Sequence, residues 1–141
     1  MAILKPVNEL TSYAEAINRL EDGTRMTKKG LIKKCDVLWI KIIRARDKHC
    51  QKCGAKASQA AHIFSRSNHG LRYDLQNGIG MCYYCHLYWA HRSPVEFTLW
   101  VQKKWPERWV YLIRERQKLV TSLGIKYYKE IYENLNRNPD F

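Results

Sequence analysis

The sequence has no uninterrupted apolar run of about 18 residues, which argues against a membrane-spanning helix. Its opening, Met1-Ala-Ile-Leu-Lys-Pro6, has no basic start followed by a long apolar stretch, so a secretory signal peptide is not expected. Acidic residues are scarce: 13 Asp and Glu face 25 Lys and Arg, for a net charge of +12. There is no internal repeat and no low-complexity tract, and the length of 141 residues predicts one domain, or one small domain with arms. No heptad or continuous interface stripe is visible, which leaves monomer and homodimer equally open.

The basic excess is concentrated. Residues 25–56 carry eleven Lys and Arg, with only Asp36 and Asp47 against them. A basic face of that density suits a polyanion, DNA or RNA. Arg44, Lys48 and Lys52 are its candidate nucleic-acid contacts. Four of the five cysteines form two Cys-x-x-Cys pairs, Cys50 with Cys53 and Cys82 with Cys85. That pairing supplies four thiolates for a structural, tetrahedral zinc ion and fits a reducing, cytoplasmic setting better than disulfides do. Cys35, close to Trp39, reads as a small buried hydrophobe.

The pattern along the chain predicts an α+β, mainly helical fold. Residues 1–34 read as a basic arm, with a short helix over Thr11–Leu20 and an exposed connection at Lys28-Lys29-Gly30. A helix is expected from about Lys33, with Val37, Leu38, Ile40, Ile42, Ile43 and Ala45 apolar and Lys41, Arg44 and Arg46 pointing elsewhere. Gly54 suits the positive φ of a knuckle. Strands are expected over Gln59–Phe64 and Asn77–Met81, joined by an irregular loop and followed by a helix over Tyr83–Ala90. Ser93-Pro94-Val95-Glu96 predicts a capped helix start, and Trp105-Pro106 an interruption. The next helix, with Trp109, Leu112, Ile113 and Val120 inward, is expected to close at Gly124. A last helix is expected over Ile125–Leu135. Trp100, Trp105 and Trp109 read as packing. The corresponding division is 1–34, 35–122 and 123–141.

A closed four-sulfur site has no open position for water, so any reaction needs other residues. His62 is the candidate general base, its Nδ1 held by an oxygen and its Nε2 facing water. Asn77 would meet it across adjacent strands, fixing the loop or orienting the ring. His86 is the candidate ligand of a catalytic divalent cation such as Mg²⁺, Mn²⁺ or Ca²⁺; His91, at the helix end, is a candidate to join that metal, touch a phosphate or cap the helix. Arg66 and Arg72, in the loop between the strands, are candidate phosphate contacts.

In Ala61-His62-Ile63, Asn77 and Cys82-x-x-Cys85-His86, the chain resembles the HNH endonucleases of the ββα-metal superfamily in their four-cysteine form. The resemblance covers roughly residues 35–115 and is closest to small phage and prophage members, including recombination nucleases that cut branched DNA. It implies a small ββα-metal core flanked by helices, with His62 activating water, Asn77 holding the hairpin loop and His86 binding the catalytic cation. It also implies duplex or branched DNA as substrate and phage recombination or packaging proteins as partners. One position departs: Ala61 stands where many members have an Asp or His ligand. Ala61 is the main support for a rival reading, a catalytically silent, zinc-stabilised DNA-binding or packaging-adaptor module. A nuclease acting on RNA is a third reading.

Overall fold

The computed structural model describes residues 26–138; the helix expected over Thr11–Leu20 lies outside them. In chain order the elements are helix α1 (Lys28–Asp47), strand β1 (Gln59–His62), strand β2 (Gly78–Met81), helix α2 (Tyr84–Ala90), helix α3 (Pro94–Lys104), helix α4 (Pro106–Glu115) and helix α5 (Ile125–Asn136). A tight turn of 3-10 helix, Leu75–Asn77, leads into β2. The fold is α+β and mostly helical. None of these helices is long and apolar enough to cross a membrane.

The first helix starts earlier than the charge pattern predicts. Thr27 Oγ1 accepts from the Gly30 N–H at 3.0 Å, satisfying a donor that a helix start leaves without a partner. Lys28-Lys29-Gly30 is therefore the first turn of α1 rather than a connection. Leu31, Cys35, Leu38, Trp39, Ile42 and Ile43 recur at helical spacing and are all buried. Val37 and Ile40 fall off that stripe and are exposed, against expectation.

The chain forms two compact units. Among the described residues, one holds 26–38 and 122–138. In it, Tyr128, Tyr132 and Leu135 are the buried positions of α5. Cys35 is fully buried and donates its thiol to the Tyr128 carbonyl at 3.4 Å, which accounts for it as a packing residue. Gly124 precedes α5 instead of closing α4. The earlier helix stops at Glu115, where the Gln117 and Lys118 N–H groups fold back onto Arg114 and Glu115 carbonyls, and Val120 lies beyond it.

The second unit, Trp39–Thr121, carries the sheet. β1 and β2 run antiparallel, with Gln59 opposite Met81, Ala61 opposite Ile79 and His62 opposite Gly78. β1 ends at His62, short of the expected Phe64. Beyond it, the Asn77 side chain takes the place of the main-chain ladder, accepting from Phe64 N and donating to Phe64 O. β2 can lie against α1 only because it lacks side chains there. A Cβ on Gly78 would stand 2.5 Å from Trp39 Cζ2 and 2.6 Å from Ile43 Cδ1. Backbone groups around β2 are satisfied by charged side chains rather than by a third strand. Asp47 Oδ2 accepts from Gly80 N at 2.6 Å, Arg46 donates to the Leu75 and Gly78 carbonyls at 2.7 Å each, and Arg108 donates to Gln76 and Gly78. Arg46, expected among the outward cations, is thus an internal clamp.

After β2 the chain enters α2, a wide helix in which the His91 N–H reaches back five residues to the His86 carbonyl at 3.1 Å. Ser93 occupies the position before α3 but makes no side-chain capping bond, so Pro94 with its preset φ carries the start. Pro106 lacks the N–H that would continue α3 and opens α4 instead. Ala61, Ile79, Met81, Cys85, Phe97 and Val101 belong to one buried cluster, and Trp89, Trp100, Trp105 and Trp109 pack against its edge. The tryptophans are packing, as their spacing predicts.

Gly78→Ala should therefore destabilise the fold by about 1–3 kcal/mol, the usual range for forced overpacking. Gly124→Ala is the control: its Cβ would meet only Ser122 Oγ, at 3.9 Å. Urea denaturation of both variants checks this, and an unchanged midpoint for Gly78→Ala would contradict the close approach.

Candidate functional site

Two tight turns bring the cysteines together. In the first, Gly54 N returns to Cys50 O at 2.8 Å and Gly54 adopts φ 83°, the left-handed region the spacing predicts. The Gln51 N–H bonds the Gly80 carbonyl at 3.0 Å, tying this knuckle to β2. In the second, the Cys85 N–H points at Cys82 Sγ, 3.4 Å away. The four Sγ atoms of Cys50, Cys53, Cys82 and Cys85 all lie within 4.8 Å of one another. Cys53 and Cys82 stand 3.7 Å apart, far beyond a disulfide at about 2.05 Å. Four sulfurs at about 2.3 Å from a shared zinc ion would stand roughly 3.8 Å apart, so the donor set fits such a metal.

The thiols themselves favour a cation. Burial, then the Cys82 and Cys53 sulfurs, pushes the Cys85 thiol well above its ordinary value. At Cys50 burial also acts upward, but backbone N–H groups of Cys82, Cys53 and Lys52 outweigh it and bring the thiol down to about 7. Sulfurs this close cannot all ionise without a positive ion between them, and a divalent metal such as zinc supplies one.

The histidines form a second constellation. A cavity of about 360 Å³ is lined by Ala61, His62, Ile63, His86, Ala90, His91, Pro94, Phe97 and Thr98. His62, the last residue of β1, stacks on Trp39 with ring centroids 4.1 Å apart and planes 8° from parallel. Its Nε2 lies 3.0 Å from the Arg72 carbonyl. A carbonyl only accepts, so Nε2 carries the proton and the ring's lone pair sits on Nδ1. This reverses the polarity expected from the sequence, because the loop delivers its carbonyl to the other nitrogen.

His86 and His91 approach from α2, their ring centroids 4.5 Å apart. His86 Nδ1 lies 3.4 Å from Gln59 Oε1, which leaves its lone pair on Nε2. Burial, then the charges of His91 and His62, lowers His86 to about 4. Its ring is neutral at pH 7 and able to donate to a metal. Ala61 contributes a methyl group to this lining, and among the described residues no carboxylate lines the cavity.

Asn77 is fully buried. Its amide accepts from Phe64 N at 2.8 Å and donates to the Phe64 and Leu71 carbonyls at 3.0 and 3.1 Å. It fixes the loop between the strands and makes no bond to the His62 ring among those described. Asp74 supports the same loop: Trp39 Nε1 donates to its carbonyl and Tyr111 donates its hydroxyl to Oδ2. That bond, followed by burial, raises the Tyr111 phenol to about 12.

The candidate nucleic-acid contacts are dispersed. Arg44 and Lys48 line a separate open cavity of about 380 Å³ with Lys41 and Lys56, and it shares no residue with the histidine cavity. The Lys52 ammonium lies 4.7 Å over the Trp89 ring. Arg72 lies over Tyr73, and Arg66 is exposed in the same loop. Sequence reasoning missed Trp39 beneath His62, Gln59 beside His86, and the Arg46 and Arg108 clamp. Only Gln59 carried a usable signal, since strand alternation places it on the same face as Ala61.

The chain matches no family model, no curated protein and no solved structure.

Elemental analysis of the purified chain should find one zinc ion per chain, lost in Cys85→Ser and kept in Cys35→Ser. Zinc retained at full occupancy in Cys85→Ser would refute the sulfur site. Asn77→Ala removes the partner of one buried and two part-buried backbone groups and should lower unfolding stability by about 2 kcal/mol, read by urea denaturation.

Proposed function

We propose that this chain is a metal-dependent endonuclease hydrolysing phosphodiester bonds in DNA, built on a ββα-metal core of the HNH type. The observation that carries the reading is the convergence of His62, His86 and His91 on one cavity beside the four-sulfur cluster's own helix. The order β1, β2, α2 and the loop pinned by Asn77 support the same reading.

In this mechanism His62 Nδ1 takes a proton from water, with Nε2–H anchored on the Arg72 carbonyl and the ring held flat against Trp39. The resulting hydroxide attacks phosphorus in line with the departing 3′-oxygen. His86 Nε2 and His91 would hold a divalent cation, and that ion, when bound, offsets charge on the phosphate and the leaving oxygen. Two imidazoles alone make an incomplete set for a hard ion, so phosphate oxygens and water would fill the remaining positions. Such a site suits an imidazole-tolerant ion such as Mn²⁺ better than Mg²⁺ or Ca²⁺. The cations of the Arg44 and Lys48 cavity would grip the backbone away from the cleaved bond.

Ala61, and a lining that among the described residues holds no carboxylate, favour one other reading, a binding module without catalysis. Supercoiled plasmid separates the two. With Mn²⁺ the zinc-loaded chain should nick or linearise it, Mg²⁺ should give less, and His62→Ala should lower the rate by a factor of about 100 or more. DNA binding without cleavage by the unaltered chain would leave the binding module as the answer.

A further inference from the structure

Helix α2 has a second face that neither the sulfur cluster nor the histidine cavity uses. Tyr83, Tyr84 and Tyr88 are 53%, 68% and 43% exposed. Their rings touch one another: Tyr84 and Tyr88 stack with centroids 5.6 Å apart at 22°, and Tyr83 meets Tyr88 edge-on at 5.9 Å. The Arg92 guanidinium covers the Tyr88 ring at 4.8 Å. The wide winding of the helix produces this arrangement. Residues four and five apart line up, so Tyr83, Tyr84, Tyr88 and Arg92 share one side while His86 and His91 share another. The two sides are separated by about one helix diameter, roughly 10 Å.

Packing does not account for the tyrosines. The buried residues of this helix are Cys85 and Ala90. A single exposed tyrosine needs no explanation, but three rings in contact on one exposed face form a patch. The surrounding charge indicates what covers it. From Leu75 to Val95, between Asp74 and Glu96, the sequence has no carboxylate, and the chain as a whole carries +12. With no carboxylate on this stretch, the Arg92 guanidinium is the nearest charged side chain in contact with the rings and attracts a phosphate.

We propose that the Tyr83, Tyr84, Tyr88 and Arg92 face is a stacking platform for the unpaired bases of single-stranded DNA, a proposal that rests on the nuclease reading above. Every base offers a π face to an aromatic ring, and a guanidinium in the same ladder adds a cation–π contact and a phosphate partner. Duplex DNA hides its base faces inside the stack, so the platform engages only frayed, flapped or branched regions.

The test reads binding rather than cleavage, using the full zinc-loaded chain, a labelled single-stranded DNA oligonucleotide and a duplex of the same sequence. Fluorescence anisotropy at fixed salt should show Tyr84→Ala and Tyr88→Ala each weakening single-strand binding about tenfold, with duplex binding unchanged. Tyr84→Phe keeps the ring and should bind like the unaltered chain. Zinc content and unfolding midpoint are compared across the variants, so a folding defect is seen directly. Equal losses on single strand and duplex, no loss on either, or a failed Tyr84→Phe rescue would overturn the platform. Dependence on the tyrosines for RNA but not DNA, or a change in oligomeric state with DNA binding intact, would also overturn it. An absence of plasmid cleavage by the unaltered chain would count against the nuclease reading while leaving this binding result readable.

Discussion

The contact on which the second unit depends is the approach of β2 to α1 at Gly78. Trp39 and Ile43 occupy the space a side chain would need, so the strand's backbone lies directly on the helix. That leaves polar main-chain groups facing a two-stranded sheet with no third partner. Asp47, Arg46 and Arg108 satisfy them from the side. Burial, then the nearby Arg46 charge, lowers Arg108 to about 10, so two guanidiniums share one carbonyl despite their mutual repulsion. From this fixed strand extend Asn77 at one end and Cys82 at the other, and His62 sits opposite Gly78 on its partner.

The sulfur cluster and the histidine cavity lie on different sides of α2. Cys85 and His86 are adjacent in sequence, yet one faces the thiols and the other the cavity. A metal held by four sulfurs has no vacancy for water, so its role is to fix the start of the helix. The position of His86, and through the winding of the helix that of His91, then follows. A side chain on an element clamped at its first turn is held in precise geometry even where the core is small.

Positive charge serves two purposes in this chain. Arg46 and Arg108 are turned inward and spent on backbone carbonyls, where they replace missing sheet partners. Lys41, Arg44, Lys48 and Lys56 are turned outward around an open cavity, and Arg92 is laid over a tyrosine. Composition counts all of these equally, so net charge overstates the surface available to a polyanion. The proposed DNA contacts belong to the outward group alone.

Residue chemistry by itself determined the convergence of the sulfurs, the turn at Gly54, the break before Pro106, the packing role of the tryptophans and the hairpin followed by a helix. Each follows from a property the residue carries with it: the valence of a thiolate, the absence of a Cβ, the missing N–H of proline, the strict alternation of a strand. The early start of α1, the short β1, the displaced role of Gly124 and the inward turn of Arg46 depended on partners remote in sequence. So did the protonation pattern of His62. Its imidazole is the same in any fold, but the nitrogen that holds the proton is chosen by the Arg72 carbonyl, and only the closed loop brings that carbonyl within reach.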